Sequence, residues 1–68
     1  MQTLDFTVTG MTCQHCVASV TEEVSELPGV TEVDVDLATG RLRVIGDVTA
    51  EQVRNAVAGA GDYTAQQA

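Results

Sequence analysis

The chain has no lysine and no tryptophan, one phenylalanine, one tyrosine, one proline, and only three basic residues among its 68. Without a basic stripe or stacking aromatics, nucleic-acid binding is excluded as a function class. No apolar run approaches the ~18 residues of a membrane span, so insertion into a membrane is not expected either. The first residues, Met1-Gln2-Thr3-Leu4-Asp5, carry no basic stretch followed by an apolar one. They do not read as a secretory leader, and the expected location is the cytoplasm. A Ser/His/Asp set, a paired-carboxylate site and a glycine-rich phosphate loop are all missing, so hydrolytic or transfer catalysis has no support and the chain does not read as an enzyme.

The residues present suit one small domain spanning residues 1–68. A chain this short buries only about 60% of its unfolded surface, which leaves no room for a second core. Hydrophobic residues make up 44% of it, and with so few aromatics the core must be built from Val, Leu and Ala. Arg41, Arg43 and Arg54 face ten acidic residues, for a net charge of -7. Such a surface favours solubility and steers the domain towards a basic partner.

Periodicity gives the element order. Thr3 to Val8 alternates, with Leu4, Phe6 and Val8 on one face, and reads as a half-buried strand that Gly10 breaks. From Cys16 to Leu27 the apolar positions Val17, Val20, Val24 and Leu27 form a helical stripe, with Glu22, Glu23 and Glu26 off it as a solvated face. Pro28-Gly29 ends that helix. Val33, Val35 and Leu37 alternate with Glu32, Asp34 and Asp36; a turn at Ala38-Thr39-Gly40 leads into a strand over Arg41 to Ile45. Thr49 and Gln52 form a capping box for a second helix, with Val48 stapling onto Val53 and a stripe of Val53, Ala56, Val57 and Ala60. Gly59 and Gly61 stop it. Tyr63 to Ala65 is expected to form a short last strand, and Gln66 onward a tail of little order. The result is an α+β, ferredoxin-like βαββαβ fold, with both helices on one face of a four-stranded antiparallel sheet.

The chemistry lies in Gly10-Met11-Thr12-Cys13-Gln14-His15-Cys16, where the first strand gives way to the first helix. Cys16 falls in the first helical turn and Cys13 just before it, so both sulfurs converge on one point. The unpaired N–H groups and positive dipole end of a helix stabilise thiolate, the metal-binding form of cysteine. Soft thiolates select copper(I) and other soft cations, and copper(I) accepts the low coordination number that two sulfurs supply, whereas zinc wants four ligands. The same spacing serves thiol–disulfide exchange in thioredoxin-like modules, which remains the alternative at this stage. Met11 reads as packing beside the site rather than as a thioether ligand. His15 has three open roles: facing water, tuning the thiols, or supplying an additional ligand.

Gly10-Met11-Thr12-Cys13-x-x-Cys16 resembles the motif of the heavy-metal-associated domain, and Gln14-His15 between the cysteines is similar to bacterial copper chaperones of the CopZ type. The resemblance extends through Leu27-Pro28-Gly29-Val30 and covers nearly the whole chain. It implies that Cys13 and Cys16 bind copper(I), and that the protein is a metallochaperone delivering copper to a P-type copper-transporting ATPase through that enzyme's similar metal-binding domains. Mercury binding, as in MerP-like relatives, and a module excised from an ATPase are the other readings it leaves. A copper-bridged homodimer is a further arrangement a two-sulfur site allows. Members tend to carry Gly-Tyr in the last loop near the metal. Here the loop reads Gly61-Asp62-Tyr63: Tyr63 matches, and Asp62 departs from the pattern in a way that bears on thiol pKa or partner choice.

Overall fold

A computed structural model describes residues 1–67. Its elements are β1 (Gln2–Thr9), α1 (Gln14–Ser25), β2 (Val30–Asp36), β3 (Arg41–Gly46), α2 (Ala50–Ala60) and β4 (Thr64–Gln67). The strands form an antiparallel sheet in the order β2-β3-β1-β4. This is the ferredoxin-like arrangement expected from the alternation of the sequence.

Strand period fixes which side chains go inward. Phe6 and Val8 from β1, Leu42 and Val44 from β3, and Ala65 from β4 are buried against Val20 and Val24 of α1 and Val53 and Val57 of α2. Both helices therefore lie on one face. Phe6, Leu42 and four of the valines are wholly excluded from solvent together with Val44, each such side chain stabilising the fold by about 1.5–3 kcal/mol. The other face carries the alternating polar positions. Arg43 stands opposite Asp5 on β1 and Asp34 on β2, and its Nε donates to Asp5 Oδ1 at 2.9 Å. Both partners are exposed, so this pair contributes at most about 1 kcal/mol. It holds register more than it holds the fold.

Several boundaries differ from expectation, those of α1 and β2 for local reasons and that of β4 through pairing with β1. Helix α1 starts at Gln14 rather than Cys16, because the Cys13 carbonyl already accepts from Cys16 N at 3.1 Å and Val17 N at 3.3 Å. It stops at Ser25 rather than Leu27, and Glu26 caps it by donating to Glu22 O. Strand β2 ends at Asp36: Gly40 N donates to Asp36 O and Ala38 N to Asp36 Oδ1, which folds Leu37 into the turn. Strand β4 is also longer than the short segment expected. Tyr63 lies before it, while Gln66 and Gln67, expected to be poorly ordered, pair with Thr7 and Phe6.

The connections sort the molecule into two ends. One end gathers the β1–α1 loop, the β2–β3 turn and the α2–β4 loop. Val8 N donates to Gly40 O at 2.7 Å, and a Cβ on Gly10 would lie 2.6 Å from Asp62 O. The opposite end joins α1–β2 to β3–α2, with Asp47 N donating to Gly29 O at 2.8 Å.

Candidate metal centre

Strand β1 delivers the chain to this first end, and Gly10 turns it. Its φ of +103° is a conformation that L side chains rarely adopt, and the close approach of the Asp62 carbonyl leaves no space for a Cβ. Glycine satisfies both demands at once. Met11 is half-buried and packed against the core, as expected of a packing residue. Beyond it, Thr12 and Cys13 emerge into solvent.

Cys13 is the N-cap of α1, with extended backbone (φ -156°, ψ 172°) and no hydrogen bond from its own side chain to the helix amides. Its sulfur is exposed and meets only that of Cys16. Cys16, one turn in, is half-buried. The two Sγ atoms are 3.7 Å apart, and Thr12 Oγ1 lies 3.9 Å from Cys16 Sγ. The first turn carries no acidic side chain, so the positive end of the helix is left to the thiolates.

The Cys16 thiol is lowered from an ordinary 9.0 to about 6. A hydrogen bond from the backbone at Thr12 contributes most, the Tyr63 hydroxyl next, and the Cys13 side chain and backbone less, while partial burial works the other way. Tyr63 is raised in turn, chiefly by its hydrogen bond to Cys16. Its half-buried ring is held between glycines: the Cβ positions of Gly10 and Gly61 would sit 3.2 Å and 3.0 Å from ring carbons. Tyr63 N donates to Gly61 O at 2.8 Å across Asp62, a tight turn that brings the ring back over the site.

The sequence-predicted residues thus divide. Cys13, Cys16 and Tyr63 come together. His15 is exposed on the outer side of the first turn, and among the described residues no group of three His, Cys, Asp or Glu side chains is placed to hold a metal ion. It does not complete a three-donor set in this arrangement. Thr12, whose Oγ1 lies 3.9 Å from Cys16 Sγ, precedes the N-cap of α1, so no helical spacing in the sequence marks it as a neighbour of that thiol. Two sulfurs with no third donor and one exposed side suit a soft ion of low coordination number, and an ion held so is open to an incoming ligand.

The chain as a whole is similar to known proteins in sequence and fold. A family model for the heavy-metal-associated domain matches residues 5–62. The chain is 40% identical over 60 residues to the COP-associated protein of Helicobacter felis, covering 85% of this chain and 91% of that one. It is 44% identical over 48 residues to the copper chaperone CopZ of Bacillus subtilis, covering 71% and 70%. It is also 40% identical over 57 residues to a probable copper-importing P-type ATPase A of Enterococcus hirae, covering 82% of this chain but only 8% of that protein. Among solved structures, a CopZ metallochaperone superposes with a TM-score of 0.89 at 31% identity over 96% of this chain and all of that one.

Proposed function

This chain belongs to the heavy-metal-associated domain family, and from that premise we propose that it carries one copper(I) ion between the Cys13 and Cys16 thiolates and passes it to a copper-transporting P-type ATPase by thiolate exchange. The observation that carries the reading is the pair itself: two sulfurs 3.7 Å apart, one of them exposed, with no third His, Cys, Asp or Glu donor grouped with them among the described residues. The work is done in the cytoplasm, where thiols stay reduced.

Simple geometry supports a carrier over a storage site. With metal–sulfur bonds of about 2.3 Å, the length in zinc thiolates, a straight sulfur–metal–sulfur bridge spans about 4.6 Å. The 3.7 Å between the two sulfurs is shorter than that span, so they would move apart to hold an ion in a straight bridge. Cys13, exposed and with no side-chain bond to the helix amides, is the sulfur placed to make that adjustment. An arriving thiolate binds on the open side to give a three-sulfur intermediate, and one of the original thiolates then leaves. No free ion is released at any point. The ATPase resemblance points to an acceptor of the same fold, since the match falls on a small part of that long protein.

The test is an anaerobic copper(I) titration against a chromophoric chelator, followed by mixing the loaded chain with the isolated metal-binding domain of a copper-transporting ATPase. The wild-type chain is expected to hold one ion and give it up to the acceptor. Cys13→Ser and Cys16→Ser should each lose competition with the chelator while keeping their far-UV spectrum. A Cys16→Ser variant that still competes overturns the two-thiolate site. Insulin reduction by the wild-type chain, with no copper retained, would instead assign the pair to thiol–disulfide exchange, for which the close sulfurs are also suited.

A further inference from the structure

An acceptor thiolate that reaches the ion must bring its own domain down onto the three loops around Cys13: residues 10–13, 37–40 and 61–63. These loops are contiguous. Gly10 abuts Asp62, Gly40 bonds to Val8, and Gln14 lines a cleft with Leu37 and Ala38. Within these spans Asp62 is the only charged side chain; Asp36 and Arg41 stand opposite each other at the strand ends that bracket residues 37–40, and Asp34 and Asp36 line the same cleft as Gln14. It is exposed, and its carboxylate enters no hydrogen bond or ion pair among the described residues. It also joins no three-donor group with the cysteines, so it is not poised as a ligand. Asp36, at the end of β2, accepts from Ala38 N in the turn, and the other acidic residues lie on the open sheet face, on the helices or at the far end.

We infer that Asp62 is the partner-selecting contact of this site, and that the acceptor it favours carries a cationic side chain next to its own cysteine pair. The inference rests on the carrier reading above and deepens it. Coulomb complementarity is the reason. Two thiolates and one copper(I) ion leave the loaded site with a single negative charge, and Asp62 adds a second on the same rim, while the nearest cation along these loops, Arg41, stands at the start of β3 opposite Asp36. The tight turn that bonds Tyr63 N to Gly61 O across Asp62 fixes where that charge stands relative to the site. A cation at the acceptor's rim meets both charges as the domains close. An acidic acceptor is repelled by both. Rim charges act mainly on the rate of encounter and on the choice of partner.

Local contact must be separated from the general pull of a chain with net charge -7. Asp47 serves as the control: it is exposed, lies at the opposite end beside Gly29, and changes net charge by the same amount when neutralised. The probes are two synthetic peptides with a Cys-Ala-Ala-Cys core, one flanked by two arginines and one by two glutamates. Copper(I) transfer from wild type, Asp62→Asn and Asp47→Asn to each is followed by stopped flow near 10 mM ionic strength, where exposed charges are felt over about 30 Å. The wild-type chain is expected to prefer the arginine peptide. Asp62→Asn should shrink that preference by about two- to fivefold, the range open to a single rim charge pair, and Asp47→Asn should leave it unchanged. Chelator competition should give all three the same copper affinity.

An equal loss in both variants overturns the inference in favour of general steering, and no loss in Asp62→Asn overturns it outright. A wild-type chain that takes up no copper(I) fails at the titration step, before any peptide is added. That result sinks the carrier reading and this inference with it.

Discussion

Replacing Gly10 by alanine tests whether the metal-binding loop is positioned by its fit against the α2–β4 loop. Two costs are read from the structure. Gly10 has φ of +103°, and holding an L residue in so sparsely populated a region costs about 1–3 kcal/mol. The new Cβ would lie 2.6 Å from the Asp62 carbonyl oxygen and 3.2 Å from Tyr63 Cδ1. One obstacle is backbone and the other a wedged ring, so neither yields freely, and overpacking of this kind costs about 1–3 kcal/mol more. Part is recovered by relaxation, leaving a loss of about 2–4 kcal/mol against a total stability of roughly 3–10 kcal/mol for a chain of this length. The midpoint of thermal unfolding should fall by on the order of 10–30 °C. Gly59→Ala is the internal contrast. That glycine lies within α2, and the nearest obstacle to its Cβ is Glu23 Oε1 at 3.8 Å, an ordinary contact. Its replacement should stabilise by about 0.5 kcal/mol through reduced freedom of the unfolded chain. Far-UV circular dichroism of the reduced, metal-free proteins in a urea series measures both. A Gly10→Ala protein as stable as wild type, or one more stable than Gly59→Ala, refutes the fit between the loops.

The thiol chemistry and the second helix give two further expectations. With Cys16 at about 6 in the folded chain against 9.0 ordinarily, the folded state binds fewer protons between those values. Stability drawn from this thiolate is therefore complete above about pH 9 and is lost as pH falls through about 6. Alkylation of Cys16 by iodoacetamide, followed against pH, should titrate near 6 in the wild type and higher in Tyr63→Phe, which lacks the second-largest support; an unchanged midpoint would remove Tyr63 from the site. In α2, Thr49 Oγ1 accepts from Gln52 N at 3.2 Å while Gln52 Oε1 accepts from Thr49 N at 2.9 Å. Thr49→Ala should cost about 1 kcal/mol and lower the thermal midpoint by about 4–8 °C. A shift under a degree would show the capping box to be idle.

Much of this molecule was written in local pattern. Alternation in Thr3–Val8 and Arg41–Ile45, the stripe of Val20 and Val24, and the Thr49–Gln52 box each rest on interactions within a few residues, so they could be read before any fold was known. The cysteine pair was legible for the same reason: a helix start and a spacing of three settle the convergence of two sulfurs without long-range help. Element ends were less so. Strand β4 takes its length from pairing Gln66 and Gln67 with β1, and nothing in a polar tail announces a partner some 60 positions away. The contribution of Tyr63 to the Cys16 thiolate is likewise a tertiary outcome, second to that of the local Thr12 backbone. Gly61-Asp62-Tyr63 lies more than 40 residues from Cys16, and only closure of the sheet sets the Tyr63 ring between two glycines at the site. The sequence by itself determined which residues hold charge, sulfur and apolar surface, because these are properties of single side chains and short spacings. Tertiary structure decided that Tyr63 joins the Thr12 backbone in supporting the Cys16 thiolate and that Asp62 comes to the rim beside Gly10, because both depend on loops that meet only when the chain has closed on its core.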